Sequence, residues 1–358
     1  MRERNVVSGS GYDPSRRRIV SGRIAIHAVT VVGAGSWGTA LAVHLARIGH
    51  DVRLWGRDAS LVADMSSRRA NAVYLPDVMF PASLRVDHSL PDALDGIGIA
   101  VFAVPSHGLR RVLTDAAPHL PASALVVSAV KGLEEESFLR MSEVLAAELS
   151  AVREIVVMSG PSFAAELARE LPTAVVVASA SADAVGRVQQ EFRSGSLRLY
   201  GSADVVGVEI GGALKNIIAI AAGISDGLGF GHNSVAALIT RGLAEMTRLV
   251  VACGGRAETM AGLAGLGDLV LTCTGGLSRN RSVGVELGRG KKLAAIIAGM
   301  HGMVAEGVFT TTAAVGLAHA RGVEMPITEQ MHAILHDGKS PKEAIQELMT
   351  RSGKSETS

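Results

Sequence analysis

From Ala25 to about Tyr200, short β-branched and apolar runs alternate with stretches whose apolar positions recur at helical spacing. That alternation predicts βαβ units and a mostly parallel sheet. The predicted strands are 28–32, 52–55, 97–104, 124–130, 154–158 and 173–178, with helices such as 37–48 and 137–149 between them. Runs as continuously apolar as Ile99-Ala100-Val101-Phe102-Ala103-Val104 suit strands covered by helices on both faces. After about Ala203 the strand-like runs stop, and Ala, Leu and Gly fill long helical windows through Arg351. The glycine-rich stretch 262–276 reads as a loop between helices. The pattern predicts an α/β N-terminal domain over 25–203, a Rossmann-type doubly wound sheet, followed by an all-α C-terminal domain over 204–351. Residues 1–24 read as a disordered extension and 352–358 as a frayed tail.

A chain of 358 residues exceeds the usual single core, which agrees with two domains. Lys and Arg number 35 against 34 Asp and Glu, which removes the generic electrostatic drive toward nucleic acid or an anionic membrane surface. Any anion must therefore be held by a local site. No charge-free apolar run approaches the length of a membrane span, so no stable membrane insertion is expected. The two cysteines, Cys253 and Cys273, supply neither a disulfide framework nor a thiolate metal site, and they suit a reducing, cytoplasmic compartment. No metal is expected. The extension carries Arg16-Arg17-Arg18 without the apolar centre of a secretory signal; Glu3 and Asp13 speak against an organelle-targeting peptide.

The first predicted strand runs into Gly33-Ala34-Gly35-Ser36-Trp37-Gly38, which opens an alanine-rich helix. In that context Gly-x-Gly-x-x-Gly is a dinucleotide turn. Gly33 permits the tight bend, Gly35 lets the backbone approach a pyrophosphate, and Gly38 lets the helix pack on the strand. The helix N-terminus adds free N–H groups and positive dipole. About 20 residues on lie Arg57 and Asp58, which point to different cofactors. Arg57 suits the 2′-phosphate of NADP and Asp58 the bare ribose of NAD; of the two, NADPH is the expected preference.

Polar groups follow the later strands at Pro105-Ser106-His107, at Lys131-Gly132-Leu133-Glu134 and from Ser159 to Glu166, and such strand ends face one crevice. In the third, Pro161 and Ser162 suggest a further helix start. The apolar helical window 208–223 carries Lys215. A lone ammonium there is costly unless paired or used, and burial lowers its pKa toward working pH. Lys215 is therefore a candidate general acid for carbonyl reduction and base for alcohol oxidation, with an ion pair to Glu209 or Asp268 as the structural alternative. Farther on, Arg279 and Arg281 flank Asn280 after Ser278, a candidate phosphate clamp, and Asp268 is placed to orient Lys215 or a substrate hydroxyl.

Taken together these segments resemble bacterial-type NAD(P)-dependent glycerol-3-phosphate dehydrogenase, within the wider phosphogluconate dehydrogenase-like group. The matching strings start at Gly33, Val104, Lys131, Ser159, Leu214, Gly265, Ser278 and Val304, in consistent order from about Val29 to near Gln346. The resemblance implies reduction of dihydroxyacetone phosphate to sn-glycerol 3-phosphate, the entry to glycerophospholipid synthesis, with Lys215 as the acid/base. It also implies a substrate set of Lys131, Gly160, Ser162, Lys215, Asp268, Ser278, Arg279 and Asn280. The implied cofactor set is Ser36, Trp37, Arg57, Lys131, Ala164, Arg279, Val304 and Glu306 beside Gly33, Gly35 and Gly38. A homodimer through the apolar second half is expected. Two readings compete: a β-hydroxyacid or sugar-phosphate dehydrogenase of the wider group, acting on a carboxylate substrate, and a catalytically silent NAD(P) sensor whose helical half binds a partner. The intact Lys215, Asn216 and Ser278-Arg279-Asn280 speak against the sensor.

Overall fold

The computed structural model describes residues 27–152, 154–300 and 302–352; the extension 1–24 and tail residues 353–358 lie outside them. The strands in chain order are β1 (Ala28–Val32), β2 (Asp51–Trp55), β3 (Ala70–Asn71), β4 (Leu75–Met79), β5 (Leu84–Asp87), β6 (Ile99–Phe102), β7 (Leu125–Ser128), β8 (Ile155–Ser159), β9 (Thr173–Ala178) and β10 (Leu197–Ser202). Eight of them form one sheet in the order β10-β9-β8-β7-β6-β1-β2-β5, and β3 and β4 form a separate hairpin. All pairs in the large sheet are parallel except β8 with β9.

Helices α1 (Ser36–Arg47), α2 (Ala59–Arg68), α3 (Leu90–Leu94), α4 (Leu109–Ala116), α5 (Met141–Glu148), α6 (Ala164–Ala168) and α7 (Ala182–Phe192) accompany the sheet. Two separate apolar clusters cover its faces, so the central strands β6 and β7 are buried throughout. The expected run at 97–104 shortens to Ile99–Phe102, because Val104 already belongs to the turn that faces the cleft.

The strands that sequence pattern does not announce are edges or short. In β10 exposure alternates along Leu197, Arg198, Leu199 and Tyr200, since one face meets solvent and no continuous apolar run is needed. β5 is the opposite edge, and in the hairpin the two-residue β3 pairs with β4 across a register shift. The helix expected at 137–149 begins at Met141, because Phe138 adopts a left-handed φ of 59° and folds 133–140 into a turn closed by the Leu133–Arg140 bridge.

The remaining helices are α8 (Val205–Gly227), α9 (His232–Ala252), α10 (Ala257–Met260), α11 (Asp268–Thr274), α12 (Arg279–Gly288), α13 (Leu293–Ala298), α14 (Glu306–Arg321), α15 (Pro326–His336) and α16 (Pro341–Thr350). The stretch 262–276 is largely helical, contrary to the expected loop. A π-helical turn, Leu263–Gly267, leads directly into α11. Gly265 allows this because its bare Cα lies against the Met260 backbone.

Every residue of α8 from Gly207 to Ser225 is buried. The helix is long and apolar enough to cross a membrane by length and composition, yet 89% of its apolar window is covered by the rest of the protein. Its closest crossing is with α12. A methyl group on Gly223 would strike the Arg281 carbonyl, and one on Gly284 would strike the Ile220 carbonyl. Backbone atoms block these positions, so neighbouring rotamers cannot relieve the clash. Replacing Gly223 or Gly284 by Ala is expected to cost about 1–3 kcal/mol of unfolding free energy in a urea titration. Gly276→Ala, at a site open for 4 Å, should stay within about 0.5 kcal/mol of the parent.

Candidate active site

The strand order reverses beside β1, where β2 lies on one side and β6 on the other, and ligands bind beyond the carboxyl ends of strands at such a switch. A cleft of about 890 Å³ opens there, between the sheet and the first turns of α12 and α14. Gly33 enters it with φ of 122°, and a Cβ there would stand 2.6 Å from the Ala103 carbonyl oxygen. A Cβ on Gly38 would collide with the Gly33 carbonyl, so that glycine is required by packing; it does not line the cleft. Gly35 has nothing within 4 Å of a would-be Cβ and presents bare backbone to the cleft. It also caps α1 without a side-chain acceptor, which leaves the first-turn N–H groups for a ligand. These features fit a dinucleotide pyrophosphate.

Around that turn, Ser36, Trp37 and Ala164 line the cleft, and Trp37 Nε1 is buried with no hydrogen-bond partner among the described residues. At the end of β2, Asp58 is the N-cap of α2. Its Oδ1 accepts from Ser60 N at 2.8 Å, Ser60 Oγ at 2.6 Å and Leu61 N at 3.1 Å, and these bonds hold its carboxyl below the usual range. Arg57 lies exposed in the cleft wall and takes no hydrogen bond among the described residues.

The deepest part of the cleft is a bonded group of two lysines and one carboxylate. Asp268, fully buried at the start of α11, accepts from Lys215 Nζ through Oδ1 at 2.6 Å and from Lys131 Nζ through Oδ2 at 2.8 Å. Lys131 also donates to the Gly160 carbonyl at 2.8 Å and to Ser162 Oγ at 2.9 Å, which uses all three of its protons. Gly160 itself stays behind the cleft wall with φ of 124°. Lys215 donates its second proton to Thr272 Oγ1 at 2.8 Å, and its third has no partner among the described residues. Burial pushes Lys215 down to about 8; the Asp268 charge opposes this and the Lys131 charge adds to it.

Glu209, the other partner considered for Lys215, lies elsewhere. Its carboxylate takes Arg140 Nη1 at 2.7 Å and the Ser142 N–H at 2.7 Å, which ties α8 to α5.

On the opposite wall, Ser278 caps α12 by accepting from Arg281 N at 3.2 Å, and Arg279 is exposed to the cleft. Asn280 lines the wall, but its amide donates to Asn216 Oδ1 and accepts from Gly307 N, both at 2.9 Å. Arg281 turns away to Asp226 at 2.5 Å, so the expected two-arginine clamp has one arm. The helix expected at Pro161 starts only at Ala164. Val304 and Glu306 line the cleft, and Glu306 accepts from Ser106 N at 3.1 Å and Oγ at 2.6 Å, joining the two halves.

Models of the NAD-dependent glycerol-3-phosphate dehydrogenase N-terminus and C-terminus match residues 28–185 and 204–346. The chain belongs to this family. A glycerol-3-phosphate dehydrogenase (NAD(P)+) of Koribacter versatilis (strain Ellin345) is 60% identical over 327 residues, covering 90% of this chain and 97% of that one. The solved glycerol-3-phosphate dehydrogenase of Coxiella burnetii superposes with a TM-score of 0.88 at 44% identity, over 91% of this chain and 99% of that one. A ketopantoate reductase from Ralstonia eutropha JMP134, 17% identical with a TM-score of 0.57 over 89% and 99% of the two chains, shares the fold. The cofactor of this family is NAD or NADP.

Nothing in the periodicity points to Asn71, Tyr74 or Phe309, yet all three shape the cleft. Asn71 bonds to the glycine turn, Tyr74 lines the opening, and Phe309 packs under His107 with ring centroids 4.5 Å apart. Outside the hairpin, the partners of Asn71 and Phe309 are 32 or more residues away, beyond any local pattern.

The shared carboxylate makes two opposite predictions. Asp268→Asn should lower the pKa of Lys215 by removing the charge that favours its protonated form. Lys131→Met should raise it by removing a like charge. The pH dependence of Lys215 modification by an amine reagent measures both.

Proposed function

We propose that this protein interconverts dihydroxyacetone phosphate and sn-glycerol 3-phosphate, with Lys215 giving a proton to the carbonyl oxygen and taking it back from the alcohol. The observation that carries this reading is the third Lys215 proton, without a partner among the described residues, on a cleft-lining amine pushed down to about 8. Family membership supports the substrate. When bound, the dinucleotide would supply the hydride through its nicotinamide.

The chain's own residues provide the rest. Asp268 balances the ammonium while Lys215 is charged and stays bonded to Lys131 when it is not. Lys131, Gly160 and Ser162 form the base of the site and keep that carboxylate in place. Arg279, Ser278 and the first N–H groups of α12 receive the substrate phosphate, with Asn280 bracing them against α8 and α14. Phosphate binding at this remote end orients the carbonyl, so unphosphorylated dihydroxyacetone should lose turnover as well as affinity.

The preference for NADPH belongs to the same proposal. Asp58 is committed to capping α2 while Arg57 is unengaged beside it, which favours a 2′-phosphate over a bare ribose diol.

Lys215→Ala should fold and bind dinucleotide but lose roughly 100- to 10,000-fold in turnover. Near-parental activity would remove Lys215 from the mechanism. In the parent protein the ammonium serves reduction and the free amine serves oxidation. Reduction should therefore fall, and glycerol 3-phosphate oxidation rise, as pH passes through about 8. Arg57→Ala should lower kcat/KM with NADPH by about ten-fold or more while leaving NADH little changed. An unaltered ratio would refute the NADPH preference.

A further inference from the structure

Ser106 opens the short helical turn Ser106–Gly108 that follows β6. Ala103, just before it, lies against the glycine turn: its carbonyl oxygen would stand 2.6 Å from a Cβ on Gly33, and its Cβ 3.2 Å from one on Gly38. Pro105 and His107 line the cleft on either side of Ser106, but Ser106 itself is 4% exposed and does not. Its side chain crosses to the helical half. Ser106 Oγ donates to Glu306 Oε2 at 2.6 Å and the Ser106 N–H to Oε1 at 3.1 Å, so one residue engages both oxygens of the carboxylate that begins α14. Three residues on, Phe309 meets the His107 ring with centroids 4.5 Å apart. Gly132, next to Lys131, leaves the space for this junction, since a Cβ there would stand 2.5 Å from Ser106 Oγ.

The first turn of α14 is packed in turn on the neighbours of the reactive groups. The Gly307 N–H donates to Asn280 Oδ1 at 2.9 Å, and Asn280 follows Arg279 in the chain. A Cβ on Gly307 would stand 2.7 Å from the Asn216 carbonyl oxygen, and Asn216 follows Lys215. The Asn280 amide closes the group by donating to Asn216 Oδ1 at 2.9 Å. Contacts this close between backbone segments leave no slack, so the place of α14 sets the place of both neighbours.

We propose that Ser106 is a positioning residue for the reaction: through Glu306 it holds the first turn of α14, which sets Lys215 and the Ser278–Asn280 turn against the nucleotide half. This rests on the reading of the cleft as the place where a dinucleotide and a phosphorylated carbonyl compound react. In that reading each ligand is gripped mainly by one half, and only the reaction depends on the distance between them. A displacement of about 1 Å there costs up to about 100-fold in rate. The Lys131–Asp268 and Arg140–Glu209 pairs also join the halves, so removing the Ser106 hydroxyl loosens alignment without releasing the assembly.

The test compares Ser106→Ala with Glu306→Asp, which keeps the buried charge but shortens its reach, and with the double variant. On the protein without ligands, Ser106→Ala should speed hydrogen–deuterium exchange by about five-fold in the first turns of α14 and α12 and leave α7 unchanged, with the melting temperature lowered by no more than about 4 °C. It should lower kcat for dihydroxyacetone phosphate reduction by about ten-fold, while the calorimetric Kd of NADPH and of sn-glycerol 3-phosphate, each measured alone, stay within about two-fold of the parent. Glu306→Asp should reproduce the exchange pattern and the kcat loss, and adding Ser106→Ala to it should cost little more. Parental kcat, faster exchange confined to residues 105–108, a loss carried wholly by the Kd of one ligand, or an undiminished effect of Ser106→Ala beside Glu306→Asp removes Ser106 from this role. Should Ser106→Ala not fold, Glu306→Asp decides alone, by the same exchange and kcat readings. A parent protein that does not oxidise NADPH with dihydroxyacetone phosphate overturns the reading of the cleft, and the positioning role with it, whatever the exchange pattern.

Discussion

One carboxylate organises the cleft. Asp268 is fully buried and shared between two ammonium groups, one from the loop after β7 and one from α8. A buried charge is tolerated when it is paired and its remaining lone pairs are occupied, and an unpaired one would cost several kcal/mol (~3–5). Here the pairing is lopsided, because two cations compete for one anion. That imbalance, together with burial, keeps Lys215 close to neutral-pH titration instead of locking it as a permanent cation. The same bonds join the sheet to the helices, so the chemistry and the assembly of the two halves rest on shared contacts.

The carboxylate can sit there because α8 is surrounded. Gly223 and Gly284 bring α8 and α12 to backbone contact, and Gly212 lets α8 approach Ser159 at the end of β8. Lys215 therefore emerges at the floor of the cleft with little freedom. Additional ties run across the halves: Glu209 to Arg140 and Ser142, and Glu306 to Ser106. Within the helical half, Asn280 links Asn216 to the first turn of α14. Each uses a polar side chain that burial would penalise if left alone, so every tie also specifies register between elements.

Much of this was legible in one dimension where the physics is local. Strand β1 and the turn from Gly33 to Gly38 announce themselves, because a buried parallel strand is continuously apolar and a tight turn demands glycine. Lys215 stands out as an ammonium in an apolar helical window. The edge strand β10 and the hairpin do not, since their exposure alternates or their pairing is short. The stretch 262–276 misleads for a related reason. Glycine there serves close backbone packing against Met260, a tertiary demand that resembles flexibility when only composition is visible.

By itself the sequence determined the buried strands with their intervening helices, the dinucleotide turn and the residue types able to move a proton or hold a phosphate, all set by short-range periodicity and spacing. Only the tertiary structure decided which charges meet. It sent Arg281 to Asp226 and left Arg279 facing the cleft, gave Asp58 to a helix cap, and bonded Glu306 to Ser106. It also placed Lys215 against Asp268 instead of Glu209. Charge pairing depends on distance in space, and residues 53 or 200 positions apart become neighbours only when the helices close on the sheet.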